Sequence, residues 1–305
     1  MKRFNILKSL LTTLGLVLTV SWLVAQPQSA APHVSPLPLA SAYEEELPKT
    51  RAMLPQATVS LSGLKAVLIG APIDGDQGSQ TRKQIENLKA TAAELRQNKV
   101  QVYEFYSPAN QWSRIKASAR GAHFLIYRGH GVYDGERPPG WVGGFSLSES
   151  FVSAEQIRRD LKLAKGAIVM LYGCFTAGNA GYDIGQIDAA EAARRVQQYS
   201  APFVANQAGA YYASWHADAF QYYIAWLFAG KSVSQSWQAY RAYDAATVVR
   251  KELPGQSSYV LWLDPDDYQG KTAWDNAFVG QADATLVGLF GEPSTFVKFR
   301  NWIMD

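Results

Sequence analysis

The chain has 305 residues, of which 48% are hydrophobic and 18% charged, and it contains nine Trp, sixteen Tyr and thirteen Phe. So much apolar and aromatic sequence builds one large core or two modest ones, and it excludes a disordered, collagenous or coiled-coil chain. Of the 29 basic residues, Lys2, Arg3 and Lys8 lie in the first thirty positions, so the other 26 balance the 26 acidic residues. A neutral chain is not typical of a general binder of nucleic acid or membrane surfaces.

The amino-terminal region is typical of an exported protein. Its basic residues precede an apolar run over 10–25, which small residues follow. This order predicts a cleaved signal peptide over residues 1–30, because the run is shorter than the roughly 20 residues that span a bilayer. We therefore expect a secreted or periplasmic protein that has no membrane contact after cleavage. The Pro-rich segment 31–60 is predicted to be a leader or linker.

From residue 61 onward, short apolar runs alternate with longer amphipathic ones. The apolar runs predict strands at 64–70, 100–106, 123–127, 166–172 and 202–206. The amphipathic runs predict helices at 81–98, 111–119, 153–163, 188–199, 217–228 and 232–249. Such alternation predicts an α/β domain over 61–250 with a mostly parallel sheet and helices on both faces. Residues 251–305 form a C-terminal extension, in which strands at 259–263 and 284–290 would make a small subdomain.

Two chemically notable residues follow neighbouring predicted strands. His130 follows the third strand and Cys174 follows the fourth, and the predicted helix at 153–163 lies between these strands in the sequence. Because the carboxyl ends of parallel strands form the ligand crevice of an open sheet, both side chains are expected at one edge. A thiol beside an imidazole is a nucleophile beside its base, and the amides of Gly131 and Cys174 are candidate donors to an oxyanion. A lone cysteine excludes an internal disulfide.

These motifs resemble the caspase-like cysteine peptidases, which include caspases, metacaspases, legumains, gingipains, clostripain, separase and CHAT-domain proteases. The resemblance is carried by Gly129-His130-Gly131 after an apolar strand, then by 168–174 and 176–178 in the same order as in the family. The segment 218–233 is also similar to the helix, Gly-x-Ser-Val turn and helix of CHAT- and gingipain-like members. The resemblance spans about 61–250.

The resemblance implies a caspase-like fold and a cysteine endopeptidase that acts on peptides or proteins. His130 would be the base, Cys174 the nucleophile, and the Gly131 and Cys174 amides the oxyanion donors. Tyr172 and Gly173 depart from the acidic or Gln-Ala segment that precedes the cysteine in caspases and metacaspases. This departure leaves the substrate preference open.

Three carboxylates are candidate substrate-binding residues. Asp74 and Asp76 follow the first strand, and Asp183 follows the nucleophile. Carboxylates near the site would favour Arg or Lys before the scissile bond through charge-assisted hydrogen bonds. The alternative interpretation is that Asp74 and Asp76 only form a turn, since Asp-Gly is a common turn pair.

Other functions were weighed against the peptidase. Cys174, Asp188 and His216 occur in the order of an α/β-hydrolase triad, but Tyr172 and Thr176 stand where its nucleophile elbow requires glycine. A caspase-like binding module without catalysis is the non-enzymatic alternative. No metal site is predicted, because His123 and His130 would point to opposite faces of a continued strand. The chain has no GxGxxG motif or P-loop, so no cofactor is expected. The balance of charges predicts no nucleic-acid partner.

Overall fold

The computed structural model describes residues 33–34, 54–135 and 140–291 of the chain. The predicted signal peptide and most of the predicted leader therefore lie outside the described residues. Among the residues that are described, no helix is both long enough and apolar enough to cross a membrane.

Helices separate most strands of the central sheet, while a run of short strands follows β4. The strands are β1 (His33–Val34), β2 (Lys65–Gly70), β3 (Gln101–Tyr106), β4 (Phe124–Arg128), β5 (Val132–Asp134), β6 (Trp141–Val142), β7 (Gly144–Ser146), β8 (Phe151–Ser153), β9 (Ile168–Tyr172), β10 (Ala210–Ser214), β11 (Val249–Glu252), β12 (Val260–Tyr268) and β13 (Lys271–Gly280). The α-helices are α1 (Ser79–Gln97), α2 (Trp112–Ala119), α3 (Ala154–Asp160), α4 (Ala189–Ala205), α5 (Ala219–Phe228), α6 (Val233–Gln238) and α7 (Leu286–Phe290), and Gly181–Asp183 is a 3₁₀ turn.

Eight of these strands form one sheet in the order β11-β12-β13-β10-β9-β4-β2-β3. The neighbours from β3 to β10 are parallel, whereas β13, β12 and β11 add to the sheet in antiparallel pairs. The prediction of an α/β fold with a large, mostly parallel sheet is confirmed. A separate three-stranded sheet has the order β1-β5-β6, and β7 pairs with β8.

Helices cover both faces of the sheet, as two adjacent residues of β10 show. Tyr211 stacks on Phe203 of α4 with ring centroids 6.2 Å apart, and Tyr212 stacks on Tyr223 of α5 at 5.0 Å. Because successive side chains of a strand point to opposite faces, α4 and α5 lie on opposite sides. Every residue of β4, β9 and β10 is accordingly buried, as expected for central parallel strands.

The predicted fifth strand at 202–206 is wrong, because this segment is the last turn of α4. The apolar spacing of Ala192, Val196, Tyr199 and Phe203 continues the helical period through it, and all four are buried. Pro202 lies inside the helix, where it removes a single backbone donor. The fifth parallel strand is β10, which begins five residues after α4 ends.

The C-terminal third differs from prediction in two further places. The helix predicted at 232–249 ends at Gln238, and the strand predicted at 284–290 is the short helix α7, whose first turn the Thr285 hydroxyl caps by accepting from the Gly288 amide. The strand predicted at 259–263 is present as part of β12. The strands β11, β12 and β13 belong to the eight-stranded sheet. The C-terminal strands are therefore hydrogen-bonded to the strands of the predicted domain at 61–250, through the pairing of β13 with β10.

Candidate active site

The pairing of β4 with β9 brings the loops of His130 and Cys174 into backbone contact. The register pairs Arg128 with Tyr172, and the Gly129 amide donates to the Tyr172 carbonyl at 3.1 Å. A Cβ atom on Gly131 would lie only 1.8 Å from the carbonyl oxygen of Cys174. Glycine at 131 is therefore required by the close approach of the two chains. The structure thus places the three predicted catalytic positions 130, 131 and 174 at one edge of the sheet.

Cys174 lies on a sharp turn that several hydrogen bonds hold. Phe175, the next residue, has φ +67°, in the left-handed region that non-glycine residues rarely adopt. The Phe175 amide donates to the Asn179 carbonyl at 2.7 Å. The carbonyl of Gly173 accepts from the Thr176 hydroxyl at 2.7 Å and from the Trp215 indole at 3.1 Å. The Cys174 side chain is completely buried, so its position is well defined but shielded from solvent.

His130 is half-buried, and a backbone carbonyl orients its ring. The Nε2 atom lies 2.9 Å from the carbonyl oxygen of Ile73, in the loop after β2. Because a carbonyl only accepts, this bond assigns the proton of the neutral ring to Nε2 and leaves Nδ1 as the basic nitrogen. The carbonyl of His130 itself accepts from the Tyr127 hydroxyl at 2.8 Å. Sequence reasoning missed Ile73, since its contribution is a main-chain atom that carries no sequence signal.

The carboxylate of Asp74 caps helix α1. It accepts from the amides of Gln80 and Thr81, both at 3.0 Å, and from the Thr81 hydroxyl at 3.0 Å. Desolvation opposes ionisation of this carboxyl, but these hydrogen bonds prevail and lower the pKa of Asp74 to about 2. These contacts give Asp74 a structural role at the start of α1.

Asp76 lies in the same loop, three residues after Ile73. It is half-exposed and accepts a hydrogen bond from the Ser107 hydroxyl, which in turn accepts from Ser148 at 3.2 Å. Hydrogen bonding by the Ser107 and Ser148 hydroxyls lowers the pKa of Asp76. Asp74 and Asp76 both have solvent access in the loop that touches His130, but the oxygens of Asp74 bind the first turn of α1. Asp76 is therefore the candidate carboxylate of this loop that does not cap a helix.

Asp183 is buried and organises the loop after Cys174. It accepts from the Asn179 amide group at 2.7 Å and from the Ala180 backbone at 2.8 Å, and it forms an ion pair with Arg195. The Arg195 guanidinium also lies 5.2 Å from the ring centroid of Phe175, directly after the cysteine. The contacts of Asp183 are therefore with its own loop and with α4.

Arg128 ends β4 but is completely buried. Its guanidinium lies 4.2 Å from the ring centroid of Tyr172 and donates to Gln84 at 2.7 Å and to the Ala217 carbonyl at 2.6 Å. These contacts join β4, β9, α1 and the segment after β10 behind the two loops. Arg128 is thus part of the support for the site.

Asp188 and His216, which complete the alternative hydrolase triad, contact different groups. Asp188 is exposed and caps α4 by accepting from the amides of Ala190 and Glu191 at 3.0 and 2.9 Å. The carboxylates beside the His216 ring are those of Asp266 and Asp275, at 3.3 and 3.8 Å from Nε2.

Comparison of the sequence with models of known protein families finds none that matches, and no curated protein matches it either.

We predict that Asp74→Ala destabilises the protein by about 1 kcal/mol at pH 7, the usual effect of losing a helix cap at an exposed position. The pKa of about 2 in the folded state lies below the ordinary value of 3.8, so the stabilisation is present above about pH 4 and is lost as the pH falls toward 2. Urea unfolding of both proteins from pH 7 to pH 3 measures this difference. Asp283→Ala, at an exposed position after β13, is the control. A difference that stays constant down to pH 3 would contradict the capping role.

Proposed function

We propose that this protein is a secreted or periplasmic cysteine endopeptidase of the caspase-like type, with Cys174 as nucleophile and His130 as base. The observation that carries the proposal is the backbone contact between the two loops, in which Gly131 lies against Cys174. The parallel strand order around β4 and β9 and the orientation of His130 by the Ile73 carbonyl support it.

The proposed reaction uses groups of this chain alone. Nδ1 of His130 takes the thiol proton of Cys174, and the thiolate adds to the carbonyl carbon of the peptide bond. The amides of Gly131 and Cys174 are the candidate donors to the resulting oxyanion. The carbon–nitrogen bond then breaks, and the amine leaves with the proton that His130 returns. Water hydrolyses the thioester, which restores the thiol and releases the acid.

An extended segment of the chain supports a peptide as the substrate class. Strand β1 pairs in antiparallel fashion with β5, which begins directly after Gly131, with His33 opposite Tyr133 and Val34 opposite Val132. The Tyr133 ring stacks on Phe175 at 5.7 Å, next to the nucleophile. We propose that β5 binds extended peptides by adding them as a strand, and that the leader strand β1 occupies this edge in the full-length chain.

We further propose a preference for Arg or Lys before the scissile bond, with Asp76 as the recognising carboxylate. A guanidinium paired with this carboxylate forms charge-assisted hydrogen bonds, and at a solvated position we expect a selectivity of up to roughly fivefold. Asp74 and Asp183 have weaker support for this role, because their oxygens bind the first turn of α1 and the loop before α4.

One observation favours a second candidate, a binding module without catalysis. The Cys174 side chain is completely buried, whereas reactive cysteines are usually partly exposed. In the peptidase proposal this burial means that a substrate reaches the thiol only after a local rearrangement.

We predict that Cys174→Ala and His130→Ala each lower kcat/KM by at least about a thousandfold, because each removes one member of the dyad. Peptide libraries that vary the residue before the scissile bond measure both the rate and the proposed preference for Arg or Lys.

Asp188→Asn is the matched control, since asparagine caps a helix as well as aspartate does. It retains activity if the dyad is correct and loses activity if Asp188 belongs to a hydrolase triad. An inactive wild-type protein would favour the binding module, and cleavage after other residues would contradict the role of Asp76.

A second prediction concerns the leader strand. The Val132 amide donates to the Tyr199 hydroxyl, and the Val132 carbonyl accepts from the Gly143 amide. Both backbone groups of Val132 therefore point away from β1. Backbone groups alternate along a strand, so Tyr133 faces β1, and its partner His33 makes the ladder hydrogen bonds. Proline at position 33 has no backbone N–H to donate to β5. We therefore expect His33→Pro to raise kcat/KM roughly tenfold, because the edge of β5 becomes free for substrate.

Val34→Pro is the control for this variant, because the Val34 amide points away from β5 on an edge strand, where proline is tolerated. Its kcat/KM is expected to stay near the wild-type value. Equal effects of the two proline substitutions would contradict competition between the leader strand and the substrate.

A further inference from the structure

Strand pairing in the C-terminal part of the sheet brings His216 beside two aspartates of the β12–β13 hairpin, which is distant from it in sequence. His216 follows β10, Asp275 lies on β13, and Asp266 lies on β12, which pairs with β13 on its other side. Nε2 of His216 is 3.3 Å from Oδ2 of Asp266 and 3.8 Å from Oδ2 of Asp275. The three ligand atoms all lie within 4.8 Å of one another.

The two nitrogen–oxygen distances fit a common ion. Zinc binds imidazole nitrogen and carboxylate oxygen at about 2.0–2.2 Å, which places two ligand atoms of a tetrahedral site about 3.5 Å apart. The nitrogen–oxygen distances of 3.3 and 3.8 Å lie on either side of that value. We propose that His216, Asp266 and Asp275 bind a divalent transition-metal ion, Zn²⁺ or Mn²⁺, and leave further coordination positions for water.

Burial and charge support this site. The side chains of His216 and Asp275 are completely buried, and that of Asp266 is 24% exposed, which gives an ion a route from solvent. A dication beside Asp266 and the buried Asp275 would balance their negative charge.

The nature of the ligands selects among metals. An imidazole with two carboxylates suits Zn²⁺ or Mn²⁺, whereas Ca²⁺ prefers six to eight oxygen ligands.

The cluster is distinct from the proposed dyad, but Trp215 links the two. The Trp215 amide donates to the Asp275 carbonyl at 2.9 Å, and its indole donates to the Gly173 carbonyl, next to Cys174.

Isothermal titration of the full-length chain, freed of metal with EDTA, tests the proposal with Zn²⁺, Mn²⁺ and Ca²⁺. Titration of Cys174→Ala removes the thiol as an alternative ligand, and we expect it to bind one Zn²⁺ or Mn²⁺ per chain much more tightly than Ca²⁺. Adding Asp266→Asn is expected to weaken this binding at least about tenfold, because a ligand is lost. Asp283→Asn is the control and is expected to bind as Cys174→Ala does.

Asp266 is partly exposed, so its variant is expected to fold, and circular dichroism checks this. A visible Co²⁺ spectrum of the unmodified chain, with intensity typical of four- or five-coordination, provides a readout that needs no substitution. The proposal is overturned if the Cys174→Ala chain binds neither metal. It is also overturned if binding is unchanged in folded Asp266→Asn, or if Co²⁺ gives only the spectrum of the free ion. None of these readouts depends on peptidase activity.

Discussion

The hydrogen bonds between β4 and β9 determine where every group of the proposed dyad lies. Parallel neighbours end at the same edge, and the register that pairs Arg128 with Tyr172 continues into His130 and Cys174. Strand spacing of about 4.8 Å then brings the two loops so close that only glycine fits at position 131. Buried Arg128, which contacts Tyr172 and the Ala217 carbonyl, fixes the same strand ends from behind.

Around this contact, main-chain atoms supply much of the organisation. The Ile73 carbonyl sets the tautomer of His130, and the Gly173 carbonyl joins the nucleophile loop to Thr176 and Trp215. Such bonds restrict the positions of both loops without the help of other side chains. The left-handed backbone at Phe175 has an energetic cost that the surrounding hydrogen bonds offset. Trp215 extends this organisation to the acidic cluster beside His216.

The sequence was most informative where local pattern and chain order decide the outcome. The parallel strands up to β9 and the positions of His130 and Cys174 at neighbouring strand ends were predicted from apolar runs and their order. The prediction of a strand at 202–206 is wrong, because a short apolar run with a proline does not distinguish a strand from the end of a helix. The cluster of His216, Asp266 and Asp275 was not predictable, since the antiparallel addition of β13 and β12 assembles it across long sequence separations. The helix-capping role of Asp74 and the Arg195 partner of Asp183 both required the fold.

The central claim is that the imidazole of His130 activates the thiol of Cys174. The rate of alkylation by iodoacetamide against pH tests it most directly, because the chain contains a single cysteine and the label therefore reports one site. The account predicts that wild-type labelling begins well below the range of an ordinary thiol, whose pKa is about 8.5, and that His130→Ala moves the profile upward. The same pH profile in the wild-type protein and in folded His130→Ala would contradict the dyad.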